Sequence, residues 1–413
     1  MALIPTDAVR YRTELWPQAT DFDLPAMREA GWDSTPLTEF VVKVASRCNL
    51  HCDYCYVYEL ADQSWRGQPK RMSLDTVRLL AERIREHSQH WGFRRVVVSF
   101  HGGEPLLAGA AFLDQAATVL RDEVGPYVQV RLVCQTNATL VDADIAEVFR
   151  RHDVRVGVSL DGDRVSNDRH RLYRDGSSSF DDVQRGVDLL REAGPDVLSG
   201  VLATIDLEND PLDVYRTLVG LGAPGVDFLL PHGNWETPPP GVVPGDGRTP
   251  YADWLLKIFE VWYEETAGRP VVRIFEDAMN LIVGGSHSFE LYGMDPISLL
   301  TIETDGSIEL VDTLKSSFEG AAVTERHLRD TSLDEVLSHP GVVARQIGAE
   351  ALAEKCRSCD VVGICGGGMY THRFSRTNGF RTPSVYCDDL KKLIGRIEER
   401  VTGDIAAILE GSQ

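Results

Sequence analysis

The sequence predicts an α/β fold: six parallel strands curled into an open part-barrel, followed by a small cysteine-bearing unit. Two observations predict the barrel. Short β-rich runs recur at 40–45, 95–100, 128–134, 154–159, 197–205 and 226–230, and amphipathic helical stretches fill the gaps at 73–88, 108–123, 142–151, 180–193 and 211–220. Helical crossovers between parallel strands are right-handed, which curls the sheet and gathers function at the C-terminal strand ends. A third observation predicts the extra unit, since seven of the eight cysteines fall in two groups, Cys48, Cys52, Cys55 and Cys356, Cys359, Cys365, Cys387.

Residues 1–39 read as an N-terminal arm, broken by Pro5, Pro17, Pro25 and Pro36. Residues 40–235 form the barrel, whose first helix opens on the N-cap residue Ser73. The turn-rich segment 231–249 ends it, and 236–299 holds this loop and two bridging helices, near 250–266 and 274–284. The run 300–312 predicts a hairpin turning at Asp305-Gly306, a type I′ signal. It opens the cysteine-bearing domain, 300–390, and a terminal helix over about 388–410 runs from its end into the last segment, 391–413.

Composition narrows the partners. The 413 residues carry 42 Lys and Arg against 63 Asp and Glu, a net charge of −21. Such a surface repels phosphate backbones and anionic lipid, so neither nucleic acid nor membrane is expected as a partner. No apolar run of about eighteen residues occurs, and the N-terminus has no secretion-signal pattern, so the expected location is cytoplasmic. In a reducing compartment, grouped cysteines are expected to bind metal rather than pair as disulfides.

Cys48-x3-Cys52-x2-Cys55 follows directly on the first predicted strand. Three thiolates leave one iron of a four-iron cubane open to an outside ligand, and a bidentate amino acid could chelate it. The competing reading is a zinc site completed by His51. With its flanks, KVASRCNLHCDYCYVY, the segment resembles the signature of the radical S-adenosylmethionine (SAM) enzymes, including the aromatic Tyr54 before the third cysteine. The resemblance implies that SAM binds the open iron by its amino and carboxylate groups. One electron, from a donor such as flavodoxin or ferredoxin, then releases a 5′-deoxyadenosyl radical.

Further elements at later strand ends resemble the same superfamily. Gly102-Gly103-Glu104-Pro105 resembles the GGEP element that holds the cofactor's amino group; glycines admit close backbone approach and a carboxylate suits an ammonium, though a strained turn is the plain alternative. Gln135-Thr136-Asn137 resembles a TNG element, with Ala138 in place of glycine. Ser159-Leu160-Asp161-Gly162 matches an SLDG element whose serine is placed near ribose or carboxylate, and Arg171 follows where the family often pairs an arginine with the cofactor carboxylate. The resemblance covers about residues 40–230. Cys134, inside the third strand, reads as a small buried hydrophobe.

Cys356-x2-Cys359-x5-Cys365 and Cys387 suit a zinc ribbon on spacing alone. Beside a radical SAM loop they resemble the C-terminal SPASM/twitch-like iron–sulfur domain of peptide-modifying relatives, and supply the ligand set of one auxiliary cluster. The other auxiliary cluster lacks ligands here, because Met369 and Val311 stand at two of its cysteine positions. The expectation is therefore two [4Fe-4S] clusters, one radical SAM and one auxiliary. Asp312 follows Val311, and in anaerobic sulfatase-maturing enzymes an aspartate at this place is thought to act as a base; a turn or surface aspartate is the alternative.

The stretches FLLPHGNW, CGGGMYTHRF and PSVYCDDL resemble the FxsB-like peptide maturases, a branch that includes enzymes forming three-residue cyclophanes. That implies a precursor peptide as substrate and a bond between an aromatic ring and a β-carbon, made by radical hydrogen abstraction. The rival readings are formylglycine formation, a peptide epimerase or thioether synthase on the same scaffold, and a zinc-stabilised binding module. Fewer than forty residues precede the first strand, so leader recognition is expected to use the arm, the 231–249 loop, a separate protein, or nothing.

Overall fold

The computed structural model describes residues 16–287 and 290–411; the expected arm therefore lies partly outside the described residues, at 1–15. Nine strands form one sheet: β1 Glu39–Ala45, β2 Arg95–Gly102, β3 Gln129–Thr136, β4 Val154–Ser159, β5 Leu198–Thr204, β6 Val226–Leu229, β7 Leu299–Ile302, β8 Ser307–Glu309 and β9 Val323–His327. Their order is β6-β5-β4-β3-β2-β1-β7-β8-β9. All neighbours from β6 to β1 pair in parallel, as the strand–helix alternation requires.

Local chemistry explains the helix bounds. Ser73 accepts a hydrogen bond from the Thr76 amide, so the first long helix starts at Leu74. It runs to Trp91, beyond the expected end near 88, because the stop is Gly92 in the left-handed region at φ 67°. Its Val77, Leu80, Ala81 and Ile84 are buried in the core. The stretch expected as a helix over 108–123 is split: a 3-10 turn, Pro105–Ala108, closes on Gly109, and the α-helix is Ala110–Glu123.

The C-terminal hairpin differs from expectation in two ways. β7 pairs in parallel with β1, so the hairpin extends the barrel sheet directly. Its turn is not type I′. The Glu303 amide donates to the Ser307 carbonyl and Gly306 donates back to Glu303, with only Gly306 at positive φ (95°). That is a three-residue loop in which Gly306 takes the left-handed position of a bulge.

The 231–249 loop is pinned to the cysteine-bearing segment: the Trp235 amide donates to the Phe374 carbonyl and its indole to the Pro383 carbonyl. The last helix, Cys387–Gly411, lies along Pro250–Glu264, where Arg396 and Arg400 pair with Glu260. Among the described residues no helix is long and apolar enough to cross a membrane.

Candidate cofactor and active site

Cys48, Cys52 and Cys55 lie on the loop leaving β1, each half-buried and free of disulfides. Burial pushes the Cys48 thiol up to about 12, with the Glu104 carboxylate adding to it, and the Cys52 thiol up to about 11. Cys48 senses Cys52 and Cys55, so the three thiols share one space, and thiolates so placed need a cation between them. Among the described residues no three His, Cys, Asp or Glu side chains converge as the ligands of one ion do, whereas a cubane offers each thiolate its own iron. His51 Nε2 lies 3.4 Å from Glu59, half-exposed.

The next strand ends close around this loop. A Cβ on Gly102 would collide with the Ala45 carbonyl, and one on Gly103 with the Tyr58 hydroxyl and the Arg47 carbonyl. Glycine is required there because the Gly103 and Glu104 amides donate to the Ala45 and Arg47 carbonyls at 3.0 and 2.9 Å. Pro105 then begins the short 3-10 turn. The buried Glu104 carboxylate accepts from the Thr136 hydroxyl (2.7 Å) and the Asn137 amide (2.8 Å) on one side, and from the Leu106 amide on the other. Its first work is thus to tie β2 to β3, a role the ammonium-binding expectation did not include.

Asn137 passes the tie onward. Its side-chain amide donates to Asn49 at 3.0 Å, and lies 3.9 Å from Cys48 Sγ. Ala138 holds φ 59°, the left-handed conformation that explains why the resembling element prefers glycine. Gln135 donates to the Ser159 hydroxyl at 2.9 Å. Farther round, Tyr54 donates to Asp161 (2.6 Å) and accepts from Arg171 (2.8 Å), while the Thr204 amide donates to the other Asp161 oxygen. Arg171 is buried, its Nε has no hydrogen-bond partner, and its charge opposes the rise of the Cys52 thiol. A buried guanidinium with a spare donor fits a ligand carboxylate.

Asp312 is not a surface aspartate. It is 4% exposed and sits 3.1 Å from Lys43 Nζ, 2.8 Å from the Tyr56 hydroxyl and 4.0 Å from His101 Nδ1. Burial alone would raise its pKa, but Lys43, His101 and the Tyr56 hydrogen bond hold it well below the usual carboxylate range. Lys43, Tyr56 and His101 each approach the carboxylate at Oδ2. Strand register builds this nest, because Lys43 pairs with His101 across β1–β2, and Glu303 follows the Val42–Ile302 pair across β1–β7. Glu303 is 3.9 Å from Lys43 and 2.7 Å from Lys315.

The second cysteine group is also assembled. Cys356 senses the charge of Cys359 and Cys387, and Cys365 that of Cys356 and Cys387, so the four thiols from two segments lie within electrostatic reach of one another. Burial pushes Cys365 up to about 12. Cys387 is the first residue of the last helix. Val311 and Met369 are buried in the apolar core. Cys134 is buried on β3 as expected for a packing residue.

With this geometry in place, residues 42–217 match the family model described as the radical SAM superfamily. These residues form a radical SAM domain. The serine-type anaerobic sulfatase-maturating enzyme of Bacteroides thetaiotaomicron is 26% identical over 83% of this chain and 84% of its own length. The cysteine-type enzyme of Clostridium novyi is 22% identical over 89% and 96%. Among solved structures, native anSMEcpe with bound AdoMet and Cp18Cys peptide superposes with a TM-score of 0.75, at 21% identity, over 91% of this chain and all of that one. Streptococcus suis SuiB bound to precursor peptide SuiA gives 0.53, at 13% identity, over 88% and 81%.

The chain is therefore an enzyme whose cofactors are SAM and [4Fe-4S] clusters. The residues of the radical SAM domain fit them: three mutually sensing thiols, a close-approach glycine pair and a buried arginine with a spare donor. Sequence reasoning missed Lys43, Tyr56 and His101, which contact Asp312, and Glu303 beside Lys43. One signal was present, a lone lysine inside the apolar run FVVKVA.

Proposed function

We propose that this enzyme matures a ribosomally made peptide by joining an aromatic ring to the β-carbon of a neighbouring residue. The observation that carries the reading is the Asp312 nest: a buried carboxylate held ionised by Lys43, at the C-terminal end of the radical SAM strands. When bound, SAM and its cluster supply removal of a hydrogen atom from an unactivated carbon. Cys48, Cys52 and Cys55 would hold the cluster, Arg171 would meet the SAM carboxylate, and Tyr54 with Asp161 keeps that arginine in place. Closing the ring bond also releases one proton and one electron. The Asp312 carboxylate takes the proton, and Lys43 keeps it ionised until then. Cys356, Cys359, Cys365 and Cys387 hold the auxiliary cluster that supplies an electron sink.

The sulfatase-maturase relatives favour a second reading, oxidation of a serine or cysteine side chain to formylglycine. Co-production with candidate precursor peptides separates the two. A crosslinked product is two hydrogens lighter, resists hydrazide labelling and fragments as a loop. Serine-derived formylglycine is also two hydrogens lighter, but it labels with hydrazide, and that result would replace the crosslink reading.

A further inference from the structure

Arg373 presents a problem of charge. It is buried, and its guanidinium donates only to backbone carbonyls: Nε to Gly367 and Gly368 at 3.1 Å each, Nη2 to Gly366 at 2.7 Å and Gly368 at 2.6 Å. No Asp or Glu among the described residues lies within ion-pair distance of it. A buried cation without a counter-charge is costly, and carbonyl dipoles offset only part of that cost. The groups that act on its charge are Tyr370, over whose ring it lies at 5.5 Å, then the thiols Cys365 and Cys356, and least the carboxylate of Glu290. Its charge opposes the rise of Cys356 and of Cys365, and the three carbonyls it grips follow directly on Cys365.

The glycines make this possible. Gly366, Gly367 and Gly368 all hold positive φ, at 58°, 86° and 72°, which turns successive carbonyls toward the guanidinium. A Cβ on Gly367 would press on the guanidinium itself. The chain has thus bent a three-residue segment around one cation within reach of Cys365 and Cys356.

We infer that Arg373 is the counter-ion of the auxiliary iron–sulfur site and sets how readily that site accepts an electron. The inference rests on reading Cys356, Cys359, Cys365 and Cys387 as that site's ligands. Four thiolates outweigh the positive charge of an iron–sulfide core, and each electron taken up adds one more negative charge. A buried cation beside the core stabilises the reduced form more than the oxidised one, so it raises the reduction potential. Lys355 and Lys391 also act on these thiols, but both are exposed and solvent screens them.

The test uses the full chain with Cys48, Cys52 and Cys55 replaced by alanine, so that only the auxiliary site titrates. After anaerobic reconstitution, iron is counted and the midpoint potential is read by electron paramagnetic resonance. At the parent midpoint, Arg373→Gln is expected to lower the reduced-to-oxidised ratio at least about tenfold, which is about 59 mV for one electron. Arg373→Lys and Lys355→Gln are expected to stay within about threefold of the parent. A glutamine variant within about twofold of the parent, or a lysine variant falling as far as glutamine, would overturn the inference. If the glutamine variant sheds its iron while the lysine variant keeps it, the charge is needed to hold the site, in agreement with the inference. If both shed it, Arg373 is only a fork for the glycine carbonyls and the inference fails. A parent that binds no iron would instead sink the ligand reading beneath it.

Discussion

Lys43→Met should destabilise the protein strongly, and the loss should depend on the charge of Asp312. Lys43 is 2% exposed and 3.1 Å from Asp312. At an effective dielectric of about 20, one such pair is worth about 5 kcal/mol in gross attraction. Glu303 keeps Lys315 at 2.7 Å, so the loss falls mainly on Asp312. Removing one partner of a buried pair costs about 3–5 kcal/mol, a fall of roughly 10 °C in Tm for a cooperative unit of this size. The pH dependence follows from Asp312. Its pKa is depressed in the folded protein, so its contribution is complete above the unfolded value near ~3.9 and disappears only as pH falls through the folded value. Without Lys43, burial is opposed less and the carboxyl pKa rises, so the ionised form is penalised at neutral pH and relieved on acidification. Anaerobic thermal unfolding at pH 8 and pH 6 should show a smaller deficit at the lower pH. Adding Asp312→Asn removes the orphaned charge and should recover about 2 kcal/mol of the loss. A Tm within about 2 °C of the parent, or a double variant less stable than Lys43→Met, would refute the ion-pair account.

Three other outcomes are expected. Replacing Cys48, Cys52 and Cys55 by alanine should lower iron from about eight to about four per chain and abolish SAM cleavage, as iron assay and chromatography would show. Tyr54→Phe removes the donor to Asp161 and the acceptor for Arg171, and should cost about 1–3 kcal/mol together with weaker SAM binding measured by calorimetry. Asp312→Asn should still cleave SAM, while crosslinked peptide falls about a hundredfold by mass spectrometry; an unchanged yield would remove Asp312 from the reaction.

What was legible in the sequence was chain-local. The thiol loop, the Gly102–Pro105 run and the Ser159–Gly162 run each keep their chemistry within a few residues. Their place at strand ends followed from the strand–helix alternation. The Asp312 nest was not legible because its members come from β1, the loop after it, β2 and the turn after β8. They meet only through register, and no local pattern encodes the pairing of β1 with β7. The hairpin turn failed for a different reason. Asp-Gly is a type I′ signal only when two residues form the loop, and the Glu303–Ser307 pairing makes it three. Glu104 was recognised, but its partners on β3 were not, since a carboxylate beside two glycines does not reveal which amides face it.

The position of β1 explains how the C-terminal hairpin comes to lie beside the radical SAM strands. A parallel strand added at the open edge covers backbone groups that would otherwise invite another chain, which is one reason to place β7 there. The same pairing sets Glu303 one residue beyond the register partner of Val42, hence beside Lys43, and the following hairpin returns Asp312 to the same lysine from the other side. A single cation on β1 thus meets acids from both ends of the hairpin. Lys315 meets Glu303 and Glu309 in turn, so the hairpin's own acids are partly neutralised from within. Moving the hairpin by one residue would separate Lys43 from Asp312 and bury both charges unpaired, a penalty far larger than the loss of one ladder hydrogen bond. The charges therefore specify register. They also keep the carboxylate proposed to accept the substrate's proton fixed to the strand whose end carries the three thiols.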